Sequence, residues 1–283
     1  MAHQVRKSIL CPNCRKLISS DEPKCPHCGI SNPGSWLKNN FWTRGILGHE
    51  QVIWLIISAN VAMYVLSILL NPSGVSFNLF SPFTFLSPSD RSLAALGITG
   101  TVPIGLWHRW WSLLSANYLH FSLIHILFNM IALKQLGPFV LREYGTNRMI
   151  VIYTFGGVIG FVVSYLAGVT YTAGASAAIC ALIGAILYYG QSRGGVYGQA
   201  VLREVVGWLI GLFLIGLMPG INNWGHGGGV LAGVALGFLL KYREWRPENY
   251  FHKVLAGACV VATILTLGWS VFLSLVFRFG LLR

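Results

Sequence analysis

The chain is short of charge. Only 10% of its 283 residues are Asp, Glu, Lys or Arg, against 54% apolar ones, where a soluble domain carries roughly a quarter charged residues. With a mean hydropathy of +0.63, this excludes an ordinary soluble globular protein and an intrinsically disordered one. Acids are scarcer still, at eight against twenty Lys and Arg. Cysteine is sparse too, at six residues, four of them gathered near the N-terminus, so a dispersed disulfide framework is not expected.

What is abundant is long apolar runs. They begin near Val52, Leu119, Met149, Gly174, Val201, Gly225 and Val254, and about 20 residues suffice to cross roughly 30 Å of hydrocarbon. The chain therefore reads as an all-α polytopic membrane protein with seven spans. The first run lies too far along for the apolar centre of a secretory signal, which falls within roughly the first 30 residues, so no targeting peptide is expected. The excess of +12 is explained by topology. With a cytoplasmic N-terminus, sixteen of the twenty Lys and Arg fall on the inner side and only Arg91, Arg109, Arg278 and Arg283 outside. That positive-inside bias places the N-terminus in and the C-terminus out, with the cell membrane the expected location. The basic surface then implies contact with anionic lipid headgroups; nucleic acid is not an expected partner.

CPNCRKLISSDEPKCPHCG places Cys11, Cys14, Cys25 and Cys28 as two C-x-x-C pairs, a spacing that presents four thiolates to a structural zinc ion. A redox dithiol would need one pair, and the inner side of a membrane disfavours disulfides. Residues 1–34 thus read as a zinc-ribbon-like knuckle that folds on its metal, since so few residues bury little core. It has no evident catalytic group and is read as a site for a protein partner. His27 is a bystander to a complete ligand set, and Cys180 and Cys259 are small core residues. Residues 35–50 read as a linker, 51–242 as a six-helix core and 243–283 as an added C-terminal span.

Polar groups inside a bilayer are costly and mark function, which directs attention to those sharing one depth. If the fourth span meets the inner boundary near Tyr189, Ser176 lies about 20 Å above it and roughly 10 Å below the outer surface. By the same arithmetic His226, on the sixth span, lies about 22 Å above Lys241, and Asn129, on the second, about 20 Å above Arg142. Gly229, Gly233 and Gly237 on one span and Ser176, Cys180 and Gly184 on another recur at intervals of four, small enough for two backbones to approach closely. An imidazole bonded to a serine hydroxyl can take its proton during attack on a carbonyl. His125 and Asn129, at i and i+4, share a helix face with the right depth to donate to an oxyanion together with the Ser176 amide. Seven of the eight acids fall on the inner side and Asp90 alone in the outer loop, so a Ser-His dyad is expected rather than a triad.

HFSLIHILFN, GASA and HGGGVLAG resemble the signatures of the rhomboid family of intramembrane serine proteases, over roughly Val52 to Tyr242. The resemblance implies Ser176 as nucleophile, His226 as general base, His125, Asn129 and the Ser176 amide as oxyanion donors, and Gly174 as the shaper of the turn. It implies transmembrane protein substrates, no cofactor for catalysis, and a first loop, Asn71 to Trp110, that lies partly in the membrane. Three positions depart from the family pattern: Trp111-Ser112 stands where Trp-Arg is common, Ala116 where a histidine is often found, and GASA where GASG is commoner. A non-catalytic member that binds membrane clients is the alternative; a channel or transporter would be expected to show interrupted helices in two matching halves.

Overall fold

The structure, a computed structural model, describes residues 8–12, 16–35, 51–76 and 84–279. Cys14 and most of the expected linker lie outside them. Among the described residues the chain is mostly helical: α1 Gln51–Leu69, α2 Asp90–Leu96, α3 Ser112–Ser115, α4 Leu123–Glu143, α5 Thr146–Leu166, α6 Ser176–Arg193, α7 Gly195–Gly216, α8 Asn223–Leu240 and α9 Tyr250–Phe279. The seven long helices answer to the seven apolar runs. α4 starts four residues later than the run because Ser122 caps it, accepting from the His125 amide at 3.3 Å. α7 starts six residues earlier, at a glycine pair that no apolar run could signal.

Five of these helices, α1, α4, α5, α7 and the stretch Tyr250–Val276 of α9, are long and apolar enough to cross a membrane. α6 and α8 fall outside that measure although they sit among the spans. Each has 18 residues, rich in Gly and Ala and carrying polar groups. For α6 the reason lies in packing: it is the central helix, touching α4, α5, α7 and α8, and every residue of Ala177–Ile186 is buried by protein. A helix surrounded by helices need not be as apolar as one that faces lipid.

The α6–α8 contact is the closest in the bundle. A methyl group placed on Gly233 would lie 2.0 Å from the Ala181 carbonyl oxygen, one on Gly229 2.3 Å from that of Ala177, and one on Gly184 2.0 Å from that of Val230. Backbones therefore meet without side chains between them, as small residues at this spacing permit. The seam on α6 includes the expected Gly184 and Cys180, the latter 3.0 Å from a methyl group on Gly229, together with Ala177 and Ala181, and Ser176 stands at its edge.

Between α1 and α4 the described residues form short elements tied together by hydrogen bonds. α2 is capped by Ser89 and ends at Gly97 in the left-handed region, and a short π-turn, Val102–Leu106, follows. The Tyr64 hydroxyl donates to the Leu86 carbonyl at 2.6 Å, Ser115 to Gly97 at 2.8 Å, and Arg109 to Ala94 at 2.7 Å. Ser112 is fully buried and donates to Thr99 at 3.0 Å. α9 packs on α5, α2 and α3, and Ser270 reaches from it to the Leu96 carbonyl.

The N-terminal segment is separate in character. Strands β1 Ser8–Leu10 and β2 Leu17–Ser19 pair antiparallel, Ser8 opposite Ser19, over a small core of Cys11, Ile18 and Cys25. Lys253, near the start of α9, donates to the Pro12 carbonyl at 2.7 Å.

Candidate functional site

The loop before α6 is held at successive points. Thr172 and Thr99 exchange backbone hydrogen bonds at 2.7 and 3.0 Å, the Gly174 amide donates to the Ala116 carbonyl at 2.9 Å, and the Ala175 amide donates to His120 Nε2 at 3.4 Å. Gly174 has φ +137°, a conformation essentially reserved for glycine. With the loop so fixed, Ser176 becomes the first residue of α6, where backbone N–H groups have no acceptor within the helix and carry the positive end of its dipole.

His226 comes to Ser176 from the first turn of α8. Asn222 caps that helix: its side-chain oxygen accepts from the Gly225 amide at 2.9 Å, and its nitrogen donates to Ser164 of α5 and to Thr172, both at 2.8 Å. One asparagine thus locks α8 to α5 and to the loop before α6. The result is a 2.9 Å hydrogen bond between His226 Nε2 and Ser176 Oγ. Among the described residues His226 Nδ1 is buried without a protein partner, so no carboxylate stands behind the imidazole. A hydroxyl bonded in this way can pass its proton to the ring as its oxygen attacks an electrophile.

His125 closes the other side. A methyl group on Gly174 would lie 2.8 Å from both His125 Cε1 and Nε2, and 3.5 Å from Ser176 Oγ, which places the edge of that imidazole beside the serine. His125 Nδ1 accepts from the Phe121 amide at 3.4 Å, a bond that puts the proton of a neutral ring on Nε2, facing the serine. Asn129 is buried, and its amide donates to the His125 carbonyl at 2.9 Å. One N–H of that amide is so used and the second is free for a ligand.

The structure therefore brings Ser176, His226 and His125 together around Gly174, with Asn129 one turn farther along α4. Two residues that the sequence reading assigned no role also position the site. His120 is fully buried, 5.0 Å edge-on from the His125 ring, and holds the Ala175 amide. Asn222 is the other; an asparagine directly before a glycine-rich apolar run is a helix-start signal that could have found it.

Far from this site, the thiol groups of Cys11, Cys25 and Cys28 all lie within 4.8 Å of one another. Three converging thiols on two turns suit a soft, tetrahedral metal ion, and the cluster could hold one.

Residues 107–243 match the family model of the rhomboid domain. Among curated proteins, the chain is 32% identical over 209 residues to RHOMBOID-like protein 4 of Arabidopsis thaliana, covering 67% of this chain and 53% of that protein. It is 31% identical over 191 residues to Rhomboid protease GluP of Bacillus subtilis (strain 168), 66% of this chain and 34% of the relative. With RHOMBOID-like protein 7 of Arabidopsis thaliana it shares 28% over 219 residues, 70% of this chain and 69% of the relative. The chain thus spans about half of the first of these relatives and a third of the second.

Proposed function

The chain carries a rhomboid domain, and on that premise we propose that it is an intramembrane serine endopeptidase that cleaves peptide bonds in or near transmembrane segments of other membrane proteins. The observation that carries this reading is the 2.9 Å bond between Ser176 Oγ and His226 Nε2. It is supported by the similarity to Rhomboid protease GluP.

In the proposed reaction Ser176 Oγ attacks the substrate carbonyl carbon while its proton moves to His226 Nε2. Negative charge gathers on the carbonyl oxygen, stabilised by the Ser176 amide, His125 Nε2–H and the second N–H of Asn129. As the C–N bond breaks, His226 returns the proton to the departing amine and an acyl-serine remains. Water, deprotonated by the same imidazole, then attacks the ester and releases the new carboxyl group and Ser176. Burial of the site asks that water enter from the membrane face nearest Ser176. A helical substrate hides its carbonyls in its own hydrogen bonds, so segments weakened by Gly, Pro or small residues are the expected substrates.

In this reading the N-terminus is cytoplasmic and the C-terminus outside, by the distribution of Lys and Arg, in the cell membrane. Cys11, Cys14, Cys25 and Cys28 bind one structural zinc, which orders the N-terminal knuckle as a docking site for another protein; catalysis at Ser176 uses no metal.

The test is labelling of the full chain by a serine-directed fluorophosphonate, alongside cleavage of single-span reporters. The expected result is labelling and cleavage by wild type, with Ser176→Ala and His226→Ala each lowering cleavage by a factor on the order of 10³ or more. Equal labelling of wild type and Ser176→Ala, with no reporter cut, would instead favour a member that binds membrane clients without cleaving them.

A further inference from the structure

The N-terminal segment uses one short pattern twice. Cys11-Pro12-Asn13-Cys14 and Cys25-Pro26-His27-Cys28 both read C-P-x-C, so the two prolines hold matching places in the sequence of the knuckle. Their surroundings differ. Pro26 and its neighbour His27 are exposed, whereas Pro12 is buried. Lys253 of α9 reaches Pro12 from outside the knuckle, its ammonium donating to the Pro12 carbonyl at 2.7 Å. One of two matching faces is thus turned toward the helical bundle and the other away from it.

Lys253 stands on a fixed base. The Asn249 side-chain oxygen accepts from the His252 amide at 3.2 Å, and His252 Nδ1 accepts from the Asn249 amide at 3.1 Å, a reciprocal cap that sets the first turn of α9. The preceding residue, Glu248, accepts from the first amides of α5. The lysine side chain therefore leaves a turn already tied to the bundle. By the rules of helices it is misplaced: α9 has no acid in its first turn, and a cation near a helix N-terminus faces the positive end of the dipole. A negative group beyond the ammonium offsets that cost. Four thiolates on a divalent zinc ion carry a net double negative charge. Pro12 is the chain neighbour of Cys11, so the ammonium lies within about 10 Å of that ligand, about the Debye length in 0.1 M salt.

Resting on the zinc reading above, we propose that the face of the knuckle around Pro12 docks on the start of α9 of the same chain, with Lys253 a positioning residue of the metal site. Lys253 grips the backbone beside Cys11 and offsets the charge of the zinc-thiolate group, as groups around a metal's ligands do. The opposite face, with Pro26 and His27 exposed, is the one left for a protein partner. Docking and metal binding are then linked reciprocally: zinc orders the backbone that Lys253 grips, and the grip raises the affinity for zinc by the same factor. Loss of the metal unfolds the knuckle and releases Lys253, so the metal state of the cysteines is felt at the start of α9.

The experiment uses the full chain in lipid nanodiscs, loaded with zinc or stripped by a chelator. Lysine acetylation of the wild type, read residue by residue by mass spectrometry, needs no variant to fold. Lys253 is expected to react about tenfold more slowly in the zinc-loaded chain than in the stripped one, while Lys241, at the end of α8, reacts at one rate in both. Zinc affinity is then measured by competition with a chromophoric chelator. Lys253→Met should weaken it about tenfold, a gap that narrows as salt is raised, and Lys253→Arg, which keeps the charge and a donor, should recover most of the loss. Acetylation of Lys253 at one rate with and without zinc overturns the inference, as does equal zinc affinity in wild type and Lys253→Met; both outcomes leave the zinc reading standing. A wild-type chain that binds no zinc overturns the two together. None of these measurements depends on catalysis at Ser176.

Discussion

Gly174 is where backbone strain and chemistry meet. Its φ of +137° suits glycine alone, and its missing side chain leaves the space that His125 occupies. Gly174→Ala asks the loop to leave this conformation, at a cost of about 1–3 kcal/mol, and drives a methyl group to 2.8 Å from His125 Nε2. The ring must then move away from the position where it could donate to an oxyanion. The expected outcome is a roughly 10²-fold fall in kcat on a single-span reporter, with fluorophosphonate labelling of Ser176 slowed rather than lost. Labelling and cleavage at wild-type rates would show that His125 takes no part beside the serine.

At the scale of elements, what could be read from the chain and what could not follow from the range of the interactions. Ser176, His226 and Asn129 could be set at one depth because rise per residue is fixed, and the Gly229–Gly233 stripe could be matched to α6 because close backbone approach demands small residues. Cys180 and Gly184 of the expected stripe do meet α8, whereas the carbonyls of Ala177 and Ala181 that meet Gly229 and Gly233 carry no side-chain signal of their own. The pairing of Thr99 with Thr172 joins two irregular segments and leaves no periodic trace. Nor does the span of Asn222 across three elements, which has a legible half, its cap, and a hidden half, its donors to Ser164 and Thr172. Substitution separates the two. Asn222→Ala should cost about 1 kcal/mol for the cap and more for the two lost bonds, with slower labelling of Ser176 as His226 drifts. Asn222→Asp keeps the acceptor for Gly225 but not the donors, so thermal unfolding should show recovery of the cap alone. Full recovery with Asp would mean that the bonds to Ser164 and Thr172 do not position α8.

Over the whole molecule, the two ends of the chain attach differently. The cysteine knuckle holds its own small core, so Cys11→Ser with Cys25→Ser should remove one equivalent of zinc from the purified protein while Ser176 still labels. The C-terminal helix is bound more firmly. Glu248, in the connection from α8 to α9, accepts from the Asn147 amide at 2.8 Å, the Asn147 side chain at 3.0 Å and the Arg148 amide at 3.0 Å, and so caps α5 with a charge matched to its dipole. Arg148, fully buried, reaches back to the Arg246 carbonyl at 2.8 Å. These bonds close the Glu143 end of the bundle, about 20 Å of helix away from the serine. Glu248→Ala leaves buried N–H groups without an acceptor, each worth about 1–3 kcal/mol, whereas Glu248→Gln retains one acceptor oxygen and should lose less. The expected pattern is a lower midpoint of thermal unfolding, Ala below Gln below wild type, with labelling of Ser176 unchanged well below the transition. An Ala variant as stable as wild type would show that α9 is held by its packing on α5 and α2 alone. Slowed labelling at low temperature would show instead that the two ends of the bundle are coupled through α5, the helix that also receives Asn222.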